Sequence, residues 1–127
     1  MKPVHRGAFL FAIMIGACGA IGSEQTAPPA QTQRVPQFEN DDVKVWRSVI
    51  RADAPLTMHR HEHPRVIIAL SGGTMNIVED NGTSAAHVWE TGKAYWLPAN
   101  APNTMHADVN QGGKPIEVMV VELKHEK

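Results

Sequence analysis

From about residue 43 to residue 123 the chain is a succession of short apolar runs rich in valine, isoleucine and tryptophan, interrupted by glycine, proline and asparagine every eight to twelve residues. No feature constrains the fold more. Runs this short, with turn formers at this spacing, predict an all-β sandwich or barrel, and no amphipathic helical period is long enough to compete. Val43, Val45, Val49 and Ile50 belong to the first expected strand, residues 56–61 form the next, and residues 66–70 are continuously apolar, the pattern of a strand buried on both faces. Gly72-Gly73 turns the chain. Residues 74–79 and 83–89 flank Asn81-Gly82, a dipeptide that tolerates the positive φ angles of a type I′ hairpin. Residues 93–97, 105–109 and 116–123 complete about eight strands. Met58, Met75, Met105 and Met119, with Trp46, Trp89 and Trp96, are expected to fill the interior rather than to line a ligand cavity.

The 127 residues support one domain. Residues 1–18 differ from the rest: Lys2 and Arg6 precede an almost unbroken apolar run from Gly7 to Ala17, which reads as an export signal and is short for a membrane span of about 20 apolar residues. Ile15-Gly16-Ala17-Cys18 resembles the lipobox of bacterial lipoproteins, in which the cysteine is acylated; cleavage after Ala20 or Gly22 is the alternative and would remove Cys18. The expected location is therefore the periplasm or, through a lipid on Cys18, the bacterial envelope. Residues 23–34 are polar, with Pro28-Pro29 and no apolar periodicity, and residues 19–36 are expected to form a flexible tether before a domain at 37–127. Without Lys2 and Arg6, ten basic residues face 13 acidic ones. That balance gives no reason to expect a nucleic-acid partner, whose binders carry a basic patch.

Three histidines alternate in His59-Arg60-His61-Glu62-His63. On an extended strand, side chains two apart share a face, so two imidazoles about 7 Å apart can converge on one ion. A third ligand must come from elsewhere in the fold.

Here the sequence resembles the cupin superfamily. The first cupin motif runs Gly, five residues, His-x-His, three or four residues, Glu, six residues, Gly; this chain has Asp53, His59-Arg60-His61, Arg65 and Gly72 at that spacing. The second runs Gly, five residues, Pro-x-Gly, two residues, His, three residues, Asn; this chain has Gly92, Pro98, Asn100, His106 and Asn110, with three extra residues between the proline and the histidine. The resemblance covers about residues 38–123 and implies a double-stranded β-barrel in which His59, His61 and His106 take the positions of the metal-binding histidines.

Arg65 stands where the family has its glutamate, and a guanidinium cannot ligate a metal. Three readings stay open: His63 or Glu62 supplies a fourth ligand, with alternation favouring His63; three histidines suffice and leave positions open, as in some iron-dependent dioxygenases of the family, including those acting on thiols; or the histidines line a metal-free polar pocket. Histidine nitrogens do not distinguish iron, zinc, manganese, nickel and copper. Neutral ligands would favour an anionic substrate, whose carboxylate Arg65 can hold through two hydrogen bonds; a salt bridge at the rim is its structural alternative. Asn110 and Tyr95 are expected to be structural, and His5, His87 and His125 to belong to signal, surface or ordinary packing.

The resemblance thus implies an exported metal-binding cupin that acts on or binds a small polar molecule in its barrel. The enzyme class it leaves open is a metal-dependent oxidoreductase of dioxygenase type. The alternatives are a non-enzymatic sensing or scavenging module and a structural surface protein. Glu62 is the only acidic residue within the histidine cluster at 59–63, so no obvious general base accompanies those histidines locally. Members of the superfamily often dimerise through edge strands, which leaves a homodimer open.

Overall fold

The computed structural model describes residues 31–126; the expected signal and Cys18 lie outside the described residues. Nine strands follow in order: β1 (Gln33–Glu39), β2 (Val43–Ile50), β3 (Leu56–His59), β4 (Arg65–Ser71), β5 (Gly73–Glu79), β6 (Ser84–Trp89), β7 (Ala94–Leu97), β8 (His106–Asn110) and β9 (Ile116–Leu123). All pairings are antiparallel, in a five-stranded sheet ordered β1-β2-β9-β4-β7 and a four-stranded sheet ordered β3-β8-β5-β6. The two sheets close a jelly-roll barrel: the apolar punctuation predicted an all-β sandwich or barrel, and the motif resemblance implied its double-stranded form.

The core is the inward face of that sandwich: Trp46 and Ile50 on β2, Ile67 and Ala69 on β4, Met75 on β5, Trp89 on β6, and Ile116, Val118 and Val120 on β9. Full burial of an isoleucine such as Ile50 or Ile116 stabilises the fold by about 1.5–3 kcal/mol. Asn110 closes the barrel end, its Nδ2 donating to the carbonyls of Ile50 (2.9 Å) and Lys114 (2.7 Å) and its Oδ1 accepting from Gly112 N–H. Tyr95 packs edge-on against Trp89 and its hydroxyl accepts the Glu90 N–H at 2.8 Å. Both are structural, as expected.

The structure departs from the sequence pattern at several places. Residues 33–36, expected in the tether, pair with β2 as the start of β1. The signal was weak because β1 is an edge strand with mostly exposed side chains, and Pro36, beside a bulge, is tolerated only at such an edge. The β5–β6 turn is not type I′: Gly82 N–H bonds the Glu79 carbonyl, Gly82 alone has positive φ (88°), and Thr83 pairs back to Glu79, which makes a type I turn ending in a glycine bulge. Strand β4 is not buried on both faces; Arg65, Ile67 and Ala69 point inward while Val66 and Ile68 are half-covered and Leu70 is exposed. Trp96, Met58 and Met105 are also exposed rather than interior.

Candidate metal centre

His59 ends β3 and His106 begins β8, and the two are directly opposed across the ladder. That pairing puts their ring centroids 4.4 Å apart. Strand β3 stops at His59, two residues sooner than the alternation predicts, yet the His61 ring still turns inward, 5.0 Å from His59 and 5.5 Å from His106. One ring nitrogen from each histidine lies within 4.8 Å of the others.

Each ring is held by a neighbour. His59 Nδ1 donates to the Thr57 carbonyl at 2.7 Å, which leaves its Nε2 as a lone pair, buried and without a hydrogen-bond partner. His61 lies parallel to Trp46 and its Nδ1 donates to Glu122 Oε2 at 3.4 Å. Asn100, in the loop before β8, pins the backbone beside it: Asn100 Oδ1 accepts the His61 N–H (2.7 Å) and Asn100 N–H donates to the His61 carbonyl (2.9 Å). Because that oxygen faces a donor, the Asn100 amide nitrogen is the group 3.1 Å from His106 Nδ1. His106 therefore accepts at Nδ1 and carries its proton on Nε2.

Burial sets the charge states. It lowers the His59 pKa to about 4 and the His106 pKa to about 3, and lowers that of His61, so all three rings are neutral at pH 7. Neutral imidazole is the ligating form. Burial also raises Asp108 to about 6, against the pull of Arg65 and Arg34, while the hydrogen bond from His61 holds Glu122 below the usual range.

The donor set fits a divalent transition ion. Two of the three rings present a free Nε2 with the opposite nitrogen bonded to an acceptor, the usual support of a metal-bound histidine, and the unpartnered Nε2 of His59 is the kind of buried polar atom that an ion satisfies. His106 joins them once its proton moves to Nδ1, which costs the donation from Asn100.

The other expected site residues fall elsewhere. His63 lies past a bend that ends the strand alternation, and its Nδ1 bonds the Glu126 carbonyl at 3.0 Å; it is not brought to the three histidines. Glu62 is exposed beside Arg60. Arg65 is no rim residue: it is 5 % exposed, donates to the Pro98 carbonyl at 3.2 Å, forms no salt bridge among the described residues, and has its pKa lowered to about 10 by burial. Sequence reasoning missed Asp108 and Glu122, two carboxylates beside the histidines, and Arg34, whose guanidinium sits 5.6 Å from the Trp46 ring centre. For Asp108 a signal existed, since it follows His106 by two and so shares its strand face. Glu122 and Arg34 become neighbours only through the register of β9 and β1 with β2.

Arg34, Trp46, His61, Arg65 and Asp108 line an interior cavity of about 30 Å³. Arg34, Trp46 and His61 also line a recess of about 450 Å³ at the mouth, with Phe38, Arg60 and Glu122.

No family model matches the sequence, and no curated protein matches it. Solved structures do. A cupin domain from Bordetella pertussis Tohama I superposes with a TM-score of 0.66 at 20 % identity, over 74 % of this chain and 94 % of that one. An RmlC-like cupin family protein with a double-stranded β-helix fold from Methanocaldococcus jannaschii gives 0.58 at 16 % identity, over 74 % and 81 %. A double-stranded β-helix protein from Klebsiella pneumoniae gives 0.57 at 18 % identity, over 76 % and 80 %. At these identities the likeness is one of fold: the chain is built as a cupin-type double-stranded β-helix.

Proposed function

We propose that this chain is an exported protein of cupin fold that binds a divalent transition metal through His59, His61 and His106 and a small anionic molecule at the mouth beside it. The observation that carries the reading is the convergence of three neutral imidazoles with the buried Nε2 of His59 left unpartnered. A bound ion would supply Lewis acidity and open coordination positions.

The chain's own residues divide the remaining work. The mouth recess is in the range of small-molecule sites, about 300–1,000 Å³, whereas the interior cavity admits no more than a ligand's head group or about two waters. Arg34 reaches both spaces and Arg65 faces the inner one, so a carboxylate head group pointing inward meets two guanidiniums. Trp46 offers an apolar wall. Glu122, beside His61, supplies a carboxylate that the sequence around His59 lacks, so proton transfer is chemically available and an oxidoreductase of dioxygenase type stays within the reading. Export rests on Lys2, Arg6, the apolar run after them and Cys18. A non-enzymatic sensing or scavenging role is the second reading, favoured by the small interior cavity.

The test is elemental analysis of protein purified without an affinity tag, alongside a His59→Ala/His106→Ala variant. The reading expects close to one divalent metal per chain in the parent and a loss in the variant. Equal, near-zero metal in both contradicts it.

A further inference from the structure

The position that ordinarily carries an acidic ligand in this fold type is filled by Arg65, yet a carboxylate does reach the histidines from another strand. Asp108 lies on β8, two residues after His106 and on the same face, and β3 closes over it through the Leu56–Asp108 pairing. It is 8 % exposed. Its only neighbours at ion-pair range among the described residues are two imidazoles, each met by a different oxygen: Oδ2 is 3.7 Å from His59 Nε2 and Oδ1 is 3.8 Å from His106 Nε2.

These separations are too long for hydrogen bonds, which run to about 3.2 Å for N–H···O. They are close to the spacing of two ligand atoms on one ion, about 3.4 Å for tetrahedral bonds near 2.1 Å. An unpartnered imidazole nitrogen and a carboxylate oxygen are thus held apart by about the width an ion needs. The competing fourth ligands are committed elsewhere, His63 to the Glu126 carbonyl and Glu62 to the surface beside Arg60. We propose that Asp108 is the fourth metal ligand, so that the centre is three histidines and one aspartate, with the anion contributed from β8 instead of β4.

This rests on the metal-binding reading above and sharpens its chemistry. One carboxylate among three imidazoles favours iron, manganese or zinc over copper(I), whose sites use soft sulfur. Arg65, on the other sheet, lines the same cavity as this anionic ligand.

The test is titration with Co²⁺ alone, followed by calorimetry and by the visible absorption of the bound ion, on the parent chain, on Asp108→Asn and on His59→Ala/His106→Ala. Asp108→Asn should weaken Co²⁺ binding by about 100-fold or more, above the 10–100-fold range typical of losing a supporting group, and should alter the absorption of any Co²⁺ still bound. Parent-like affinity and spectrum in Asp108→Asn, with binding abolished in the histidine variant, overturns the aspartate ligand while leaving the histidine site standing. Absence of Co²⁺ binding in the parent overturns both. If Asp108→Asn does not fold, parent protein labelled with ¹³C at aspartate carboxyls decides: on Zn²⁺ addition the Asp108 carboxyl signal should move far more than those of the other aspartates, and an unmoved signal overturns the proposal.

Discussion

Replacing Arg65 by methionine should make the protein more stable. The side chain is 5 % exposed and its pKa falls from 12.5 to about 10 because burial penalises the charged guanidinium. The sign is fixed: a cation whose folded-state pKa is lowered destabilises the fold at every pH below that value, hence throughout the neutral range. At about 1.4 kcal/mol per pKa unit the penalty is on the order of 3 kcal/mol. Methionine removes it and fills much of the same volume, but forfeits the hydrogen bond to the Pro98 carbonyl, about 1 kcal/mol; the attraction of Asp108 and Glu122 is already contained in the net shift. The net expectation is a gain of about 1–2 kcal/mol, in line with apolar replacement of buried charges elsewhere. For a domain of this size that raises Tm by roughly 5–10 °C, read by thermal and urea unfolding of the apo protein. Binding of small carboxylates should weaken in the same variant. Destabilisation by 1 kcal/mol or more would refute the reasoning, because it would make Arg65 a structural residue rather than a cation kept for a ligand.

Asn100→Asp should tighten Co²⁺ binding about tenfold by calorimetry, since a carboxylate can accept both the His61 N–H and a proton on His106 Nδ1, freeing Nε2; unchanged or weaker affinity contradicts the tautomer assigned to His106. The apo protein should lose stability on acidification: His59 and His106 titrate at about 4 and 3 in the fold against 6.5 unfolded, so their contribution is complete above pH 6.5 and falls as pH drops towards those values. Asp108 opposes them between 3.8 and about 6, leaving a net difference near one proton and a loss of about 1–2 kcal/mol between pH 6.5 and 5 by urea unfolding; a flat profile contradicts this. Gly72→Ala should cost at least about 2 kcal/mol in the same assay, because its Cβ would stand 2.0 Å from the Trp89 carbonyl oxygen, a backbone atom that cannot yield; near-neutral behaviour contradicts the packing of the β4–β5 turn against the segment after β6.

The barrel was legible because its inward faces are written in period-two apolar runs between turn residues, and β2, β5, β8 and β9 all fall where those runs do. Strand β1 was not, since an exposed edge strand buries no face and so leaves no apolar alternation in the sequence. The histidine site was half legible. His59 and His61 are neighbours in sequence and His106 fits a spaced pattern, but His63 failed because one bend at residues 62–63 cancels strand alternation. Arg65 fell in the right strand and the wrong environment: its place in β4 fixes an inward direction, which no charge count reveals. Glu122 and Asn100 touch His61 across 61 and 39 residues of sequence, contacts that only the register of β9 and the path of the loop before β8 create.

The most direct measurement is anomalous diffraction from crystals of the protein grown with a divalent transition metal, collected on either side of the metal's absorption edge. One strong anomalous peak is expected inside the barrel, with ring nitrogens of His59, His61 and His106 at about 2.0–2.1 Å from it. No peak there, or peaks confined to surface histidines such as His63 and His125, would contradict this expectation.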